Sequence, residues 1–414
     1  MKRKISILIL TAAFLLSGCA DSSNDNSSTS SRQTSQTTAV SSEQTTTVLQ
    51  TATDSSEANT DTSASSASQS SSSNDVQTIA KTESTSSAST ASPSGTTTAS
   101  TTASTPQKQA NTTDKTKPTV FDKGLNTCHL AGKPFDLNDY VSYGDDTDRH
   151  PKLTYTGKVD VSKTGDYPIR ATVTDASGNS ESWDLTISVV SKLPTPQSIY
   201  IPSMSFETFT SKYKAPNARF GLDVSQFQGS IDFNAVKNAG CSFVFIRVGT
   251  RFNSFTLDTS FKTNLKNALA AGLDVGVYLY TTDHTAESAR QSAKWIVSQI
   301  GGKKLTLPVA FDWEEINDFQ SLGASINDVN NAYAAFKSEL AKSGYSSMIY
   351  SSFAAIDKLW NAPIRNSEPV WIASYTDKLS YTGNYGIWQV CYGKIAGINV
   401  VADFNVLYTD KKYK

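Results

Sequence analysis

The feature that most constrains the fold is a regular alternation of short apolar runs and helical patterns in the C-terminal half of the chain. Six runs rich in β-branched and aromatic residues are predicted to be strands, at 242–248, 274–280, 307–314, 346–352, 370–375 and 386–390. Between them, apolar residues recur with helical spacing at 261–269, 286–300 and 329–340. Strands that alternate with helices are typical of a sheet covered by helices, so the sequence predicts a single α/β domain here.

Acidic residues at the ends of these runs favour a closed barrel over an open sheet. No glycine-rich nucleotide loop follows a predicted strand, although open doubly wound sheets usually carry one. Instead, Asp223 follows the run FGL, and Asp312 and Glu314 close the run LPVAFDWE. A fourth acid, Asp403, lies in VVADFNV. Because the C-terminal ends of barrel strands meet at one mouth, the four acids are predicted to converge there.

The acids indicate a class of reaction. Several carboxylates in one cleft, without a metal-ligand set or a nucleophile and base pair, are typical of glycoside hydrolysis. One carboxyl group must donate a proton, so burial or a neighbouring charge must raise its pKa. Asp312 and Glu314 are two residues apart on a strand and share one face. That spacing allows carboxyl separations of roughly 5 to 8 Å, which does not distinguish a retaining from an inverting mechanism. Glu315, the next acid, is predicted to turn away from the pair and to begin the following loop in solvent.

Aromatic side chains near the strand ends are candidates for stacking on sugar rings, and the alternative for each is core packing. The candidate substrate-binding residues are Tyr278, Tyr280, Tyr350, Trp371, Tyr375 and Trp388. Asn405, which shares a strand face with Asp403, is a further candidate. Trp313 faces away from the acids and is predicted to pack in the core.

Several motifs occur in a fixed order along the C-terminal region. They are GLDVSQFQGSIDF at 221–233, FVFIRVG at 243–249, AGLDVGVYLY at 271–280, LPVAFDWE at 307–314, VWIASY at 370–375, and GIWQV followed by IAGINVVADFN at 395–405. Together they make residues 220–408 resemble glycoside hydrolase family 25, the lysozymes of the N-acetylmuramidase type. The resemblance implies a modified β/α barrel that cleaves the β-1,4 bond between N-acetylmuramic acid and N-acetylglucosamine in peptidoglycan.

The same resemblance implies roles for the four acids. Glu314 takes the place of the general acid, and Asp312 that of an aspartate that orients the acetamido group of the substrate. The aspartates of the family's opening and closing motifs fall on Asp223 and Asp403. An alternative from another class is a peptidoglycan-binding scaffold without turnover. Chitin is disfavoured as a substrate, because Leu307 and the alanine at 310 replace two aspartates of the chitinase motif.

The N-terminus has the pattern of an exported lipoprotein. MKRK precedes the apolar stretch ISILILTAAFLL and the small residues of LSGCA, as in a signal peptide. LLSGC resembles a bacterial lipobox, which implies that Cys19 is lipidated; the alternative is an ordinary cleaved signal peptide. An anchor with two or more acyl chains gives stable membrane attachment, so an extracytoplasmic, lipid-anchored protein facing the cell wall is predicted.

Composition and turn signals divide the chain into five segments. Residues 1–19 are the predicted signal peptide, and 20–117 are predicted to be a disordered Ser/Thr-rich linker because large apolar side chains are nearly absent. Residues 118–191 carry alternating runs joined by a TDxxGN turn and resemble a bacterial immunoglobulin-like β-sandwich, interpreted as a spacer rather than a wall binder. Residues 192–217 contain four prolines and are predicted to be a connecting linker, followed by the catalytic barrel at 218–414.

Charge and the remaining reactive residues restrict the partners. The formal net charge is −1 and the three histidines lie far apart, so neither nucleic-acid binding nor a histidine-based metal site is predicted, and no metal or cofactor is expected. Peptidoglycan glycan strands and the membrane are the predicted partners of a monomer. Cys241 and Cys391 lie in the same predicted domain and either pair or remain two unpaired core residues.

Overall fold

The computed structural model describes residues 113–124, 126–195 and 202–411. The predicted signal peptide, its lipobox cysteine Cys19 and nearly all of the predicted linker at 20–117 lie outside these residues. Within the described part of the chain, none of the helices has both the length and the apolar character needed to cross a bilayer.

The first described module is a small β-sandwich, as predicted. One sheet pairs β1 (Thr119–Asp122) with β3 (Ser142–Gly144). The other has the order β2 (Cys128–Leu130), β6 (Ser180–Val190), β5 (Gly165–Thr174) and β4 (Lys152–Gly157). Inward residues such as Val173 and Ile187 have no exposed surface, which is what the alternation along β5 and β6 requires.

The TDxxGN turn joins β5 to β6 through the carboxylate of Asp175. Its Oδ1 accepts hydrogen bonds from the backbone N–H groups of Ser177 and Asn179, both at 2.8 Å. Gly178 has a φ of 93°, a left-handed conformation that glycine adopts without steric cost. The turn therefore has a physical reason for each of its characteristic residues.

The second module is a closed barrel of eight strands with one short additional strand. The strands are β7 (Ala218–Val224), β8 (Phe243–Arg251), β9 (Phe255–Leu257), β10 (Asp274–Thr281), β11 (Val309–Asp312), β12 (Ser347–Ser352), β13 (Val370–Ala373), β14 (Ile387–Gly393) and β15 (Ala402–Tyr408). They follow chain order around the barrel, which closes through pairing of β8 with β10, while β9 pairs only with β8. β15 runs antiparallel to both β14 and β7, whereas the other barrel neighbours are parallel.

Within residues 202–411, eight α-helices flank the barrel. They are α1 (Phe206–Lys212), α2 (Phe233–Asn238), α3 (Phe261–Ala270), α4 (Ala286–Ile300), α5 (Phe319–Leu322), α6 (Ile326–Ala341), α7 (Ile356–Leu359) and α8 (Ala362–Ser367). The three longest, α3, α4 and α6, are those that the helical spacing predicted. α1 lies inside the predicted linker at 192–217, and its Phe206 and Phe209 are buried in the barrel's outer core. Residues 192–217 are therefore not all a linker, because the buried rings of Phe206 and Phe209 attach part of this segment to the barrel.

Alternation along β11 separates two apolar layers. Val309, Phe311 and Trp313 belong to the large cluster between the sheet and the helices. Ala310 belongs to the smaller cluster that fills the barrel interior, and Asp312 follows it on the same face. Trp313 is 1% exposed and its ring lies 5.0 Å from that of Phe319, so it packs in the core as the sequence predicted.

The sandwich packs directly against the barrel. Phe121 stacks on Phe319 with ring centroids 5.5 Å apart and planes within 5° of parallel. Lys358 Nζ donates hydrogen bonds of 3.0 Å to the carbonyl oxygens of Val120 and Phe121. A module interpreted as a spacer is therefore joined to the barrel by buried aromatic surface.

Candidate active site

Three acids line one end of the barrel because of strand direction. Asp312 is the last residue of the parallel strand β11, and Asp223 is the penultimate residue of β7. Asp403 was predicted at the C-terminal end of a strand, but it lies near the start of β15. Because β15 is antiparallel, its start is at the same end of the barrel, and Asp403 is the direct register partner of Asp223.

Two neutral amides hold Asp223. Gln389 Nε2 and Asn405 Nδ2 donate hydrogen bonds to its Oδ2 at 2.9 and 2.8 Å. The indole N–H of Trp371 donates to Asn405 Oδ1 at 2.8 Å, which orients that amide. Burial raises the pKa of Asp223 to about 6, although the two hydrogen bonds favour the ionised form. The carboxylate is thus positioned by hydrogen bonds without a neutralising cation among them.

Asp312 and Glu314 form a pair in which a proton is shared unequally. Burial and then the charge of Asp312 raise the pKa of Glu314 well above its ordinary value, and a hydrogen bond between the carboxyl groups adds to the rise. Burial raises the pKa of Asp312 to about 7, and the same hydrogen bond lowers it. Glu314 therefore holds the proton more firmly, and Asp312 is the acceptor.

Asp403 is the fourth of the predicted acids. Burial, followed by the charge of Asp223, raises its pKa well above the ordinary value. The hydroxyl of Tyr375 lies 3.4 Å from Asp403 Oδ1 and 3.1 Å from Gln389 Oε1. The hydroxyl of Tyr350 also donates to Gln389 Oε1, at 2.9 Å. Gln389 thus links both tyrosines to Asp223.

The predicted aromatic residues divide into two groups. Tyr278, Tyr350 and Trp371 lie in the barrel interior, with the rings of the first two 6.1 and 4.9 Å from that of Trp371. Trp388 lies in the outer cluster instead, where its ring is 5.4 Å from that of Tyr213 and its N–H donates to the carbonyl of the residue at 374. The structure therefore does not bring Trp388 to the acids, because its side chain is on the helix-facing side of β14.

Tyr280 contacts a residue that we expected in solvent. Its hydroxyl donates a hydrogen bond to Oε1 of Glu315, which is half-buried. Burial raises the pKa of Glu315, and the bond to Tyr280 lowers it. Glu315 was predicted to begin a solvent-exposed loop after the acid pair. The tyrosine of β10, brought beside β11 by parallel pairing, holds it against the protein.

Sequence reasoning missed two further polar groups near the acids. Gln389 follows Trp388 in GIWQV and was read only as part of a strand. Arg247 on β8 forms an ion pair of 2.9 Å with Asp258, whose carboxylate is fully buried. The charge of Arg247 lowers the pKa of Asp312. The signal in the sequence for Gln389 and for Arg247 was a single polar residue within an apolar run.

The arrangement is suited to acid catalysis on a neutral substrate. It contains Glu314, whose strongly raised pKa favours the protonated acid, the less strongly shifted Asp312 and Asp223 beside it, and interior aromatic rings at the barrel mouth. Protonation of a leaving oxygen by the first group and stabilisation of the resulting positive charge by the others are the steps of glycosidic-bond cleavage.

Comparison with known proteins identifies two domain families. Residues 222–395 match the model of glycosyl hydrolases family 25, and residues 124–189 match the bacterial surface protein Ig-like domain. The predicted fold class, a modified β/α barrel preceded by an immunoglobulin-like sandwich, is confirmed for these two regions.

Two curated relatives resemble the barrel region. The chain is 30% identical over 189 residues to autolytic lysozyme of Clostridium acetobutylicum, covering 45% of this chain and 54% of the relative. It is 28% identical over 200 residues to lysozyme M1 of Streptomyces globisporus, covering 45% and 66%. The chain therefore spans about half to two thirds of the length of these relatives. A solved family 25 glycosyl hydrolase from Bacillus anthracis is 24% identical, with 51% of this chain and 95% of that chain covered and a TM-score of 0.42.

Proposed function

We propose, from the match of residues 222–395 to the model of glycosyl hydrolases family 25, that this chain is a lysozyme of the N-acetylmuramidase type. It cleaves the β-1,4 bond between N-acetylmuramic acid and N-acetylglucosamine in peptidoglycan. The observation that carries the proposal is the Asp312 and Glu314 pair, in which a carboxyl group with a strongly raised pKa adjoins an acceptor carboxylate at the mouth of a barrel.

Glu314 is the general acid in this proposal. Its proton passes to the glycosidic oxygen as the bond from that oxygen to the anomeric carbon breaks. Asp312 orients the N–H of the substrate's acetamido group, whose carbonyl oxygen attacks the anomeric carbon. Water then opens the resulting ring and gives its proton to Glu314, which restores the acid. Asp223, whose pKa of about 6 leaves it ionised at neutral pH, supplies negative charge that stabilises the positive charge developing on the sugar, and Asp403 is its register partner.

Interior residues of the barrel position the glycan. Tyr278 and Tyr375 are half-buried near the acids, where the Tyr375 hydroxyl lies beside Asp403, and Tyr350 and Trp371, 7% and 2% exposed, support them from the barrel interior. These are the residues that we propose for substrate binding, together with the residues at 280 and 405. Trp388 is left out, because it supports the barrel from the outer layer.

The N-terminal pattern supports a proposal about location. We infer that Cys19 carries a lipid anchor, that the predicted Ser/Thr-rich linker after it serves as a tether up to the described module, and that the monomeric enzyme acts on the wall of its own cell. A Cys19→Ala variant is expected to appear in the medium rather than in the membrane fraction. Retention of that variant on membranes would show that the cysteine is not the anchor.

The decisive experiment compares Glu314→Gln with Glu287→Gln on purified peptidoglycan. The Glu287 side chain is 69% exposed on α4, so its amide variant is a control for the substitution itself. We expect Glu314→Gln to lose about a hundredfold or more in turnover, as expected for a general acid, while its circular dichroism is unchanged. Mass spectrometry of the wild-type digest is expected to show N-acetylmuramic acid at the new reducing ends.

Two outcomes would contradict the proposal. Full activity of Glu314→Gln would exclude this residue as the acid. New reducing ends on N-acetylglucosamine would exclude muramidase specificity. Tight peptidoglycan binding by the wild type with no released reducing sugar would instead favour a scaffold without turnover.

A further inference from the structure

A second group of carboxylates lies in the immunoglobulin-like module, apart from the acids of the barrel. Asp145 and Asp146 follow β3, and Asp114 precedes β1. One carboxylate oxygen of each of these three residues lies within 4.8 Å of the other two. None of them has a part in the proposed hydrolysis, so the cluster needs a separate explanation.

Two oxygens of this cluster are buried without a hydrogen-bond donor. Asp145 has no exposed surface, and its Oδ1 accepts hydrogen bonds from the backbone N–H groups of residues 147 and 148. Among the residues that the structure describes, its Oδ2 has no hydrogen-bond partner, and neither has the buried Oδ1 of Asp146. A buried carboxylate oxygen without a partner is costly unless a positive charge compensates it.

Neighbouring protein groups make this burial less favourable. Burial raises the pKa of Asp145, the backbone hydrogen bonds from residues 148 and 147 lower it, and the charges of Asp146 and Asp114 raise it again. Burial and then the charge of Asp114 raise the pKa of Asp146, while a hydrogen bond from Thr116 lowers it. The nearest arginine in sequence, Arg149, directs its guanidinium to Asp328 in a bidentate pair. The carboxylates therefore face one another and lack a basic side chain among the groups that shift their pKa values.

We propose that a divalent cation of the calcium class binds between Asp114, Asp145 and Asp146. Calcium takes six to eight oxygen ligands at about 2.3 to 2.6 Å, so oxygens on opposite sides of the ion lie about 4.6 to 5.2 Å apart. Three oxygens that all lie within 4.8 Å of one another can therefore bind one such ion. Magnesium demands a near-ideal octahedron and is usually bound through one or two carboxylates with several waters, so three carboxylates suit calcium better.

The site connects three parts of the chain. It joins Asp114, which precedes β1 in the chain, to the loop that follows β3. In that loop the carbonyl oxygens of Asp145 and Asp146 accept hydrogen bonds from the N–H groups of Ile326 and Asn327, at 2.8 and 3.2 Å. These two residues begin α6, the helix that follows the segment carrying the acid pair. A bound cation therefore stabilises the contact between the module and the barrel.

Calcium binding to the full mature chain tests the proposal. After treatment with EDTA and dialysis, calcium chloride is added in a calorimetric titration, with magnesium chloride in parallel. We expect one calcium ion per chain, an increase in melting temperature that EDTA reverses, and magnesium binding about tenfold weaker or less. Absence of calcium binding at millimolar concentration would overturn the proposal, and tighter binding of magnesium would overturn its assignment to the calcium class.

Two variants localise the site. Asp146→Asn is expected to weaken calcium binding about tenfold or more, because it removes one charged ligand. Asp145→Asn is expected to have the same effect. If the fully buried position 145 does not accept an amide and that variant fails to fold, Asp146→Asn still tests the site. Asp184→Asn, an exposed carboxylate paired with Arg170 in the same module, is the control and should bind as the wild type does.

Stability without metal gives a separate readout. In EDTA, Asp146→Asn is expected to melt at the same temperature as the wild type or higher, because the substitution removes repulsion between like charges. With calcium, only the wild type and the control are expected to gain stability. Equal gains in melting temperature for Asp146→Asn and the wild type would show that calcium binds elsewhere.

Discussion

Replacing Asp223 with asparagine tests whether the acid cluster destabilises the fold at neutral pH. The carboxylate is 8% exposed, and its hydrogen-bond partners are neutral amides from Gln389 and Asn405. An asparagine has nearly the same shape, and its Oδ1 accepts the same two hydrogen bonds. The substitution therefore removes the charge and keeps most of the packing.

The magnitude follows from the raised pKa. Burial shifts the pKa of Asp223 from 3.8 to about 6. One pKa unit corresponds to 1.36 kcal/mol, so the shift corresponds to about 3 kcal/mol. Below pH 3.8 the carboxyl group is protonated in both states and has no effect. As pH rises towards 6, the unfolded chain releases its proton first, so the free energy of unfolding falls, and above about 6 the loss is complete.

Urea unfolding at pH 4 and pH 8, followed by tryptophan fluorescence, measures this difference. Five of the six tryptophans lie within residues 218–414, so the signal reports mainly on the barrel. We expect the free energy of unfolding of Asp223→Asn, minus that of the wild type, to be about 3 kcal/mol larger at pH 8 than at pH 4. Any effect of the amide that is independent of pH cancels in this comparison. Asp184→Asn, on the surface, is the control.

If the difference in free energy of unfolding between Asp223→Asn and the wild type were the same at both pH values, the reasoning would be refuted, because the charge of Asp223 would then not destabilise the folded state. A greater advantage at pH 4 would reverse the sign and would indicate a carboxylate stabilised by its surroundings.

Two further results are expected. Asp312→Asn removes the charge that raises the pKa of Glu314. The alkaline limb of the pH profile of kcat/KM, measured on the residual activity, should therefore move to lower pH. An alkaline limb at the same pH as in the wild type would contradict the pairing of the two carboxyl groups. Phe121→Ala removes the ring stacked on Phe319 and should lower the free energy of unfolding by about 3 to 5 kcal/mol, as for other buried phenylalanines. Tyr155→Ala removes an exposed ring and should lower it much less. Equal melting temperatures of the two variants would show that the module only touches the barrel.

Local patterns were sufficient to predict the strands, the main helices and the direction of side chains on β11. Each of the six predicted strands overlaps an observed one, and the spacing of apolar residues predicted α3, α4 and α6. Phe311 and Trp313 face the helices while Asp312 faces the interior, because side chains alternate along any strand. These features depend on residues a few positions apart, and so they can be read from the chain alone.

Pairing between distant strands decided which residues join the site. Gln389 has no local signal of function, yet β14 places it within 2.9 Å of Asp223 on β7. Trp371 and Trp388 both lie in apolar strand runs, and only the first points into the barrel. Asp403 reaches the mouth because β15 is antiparallel, which the alternation of strands and helices did not predict.

The sequence alone determined that the chain contains a β-sandwich module, an α/β barrel and a set of acids at strand ends, because alternation and turn residues encode these locally. The sequence did not indicate that Asp114, Asp145 and Asp146 form a group, because Asp114 is distant from the other two along the chain. Tertiary structure decided which acids share protons in the barrel, which ones meet beside β3, and that the module packs on the barrel. The physical reason is burial: an aspartate in an unfolded chain is solvated by water, and only the fold determines which groups replace that water.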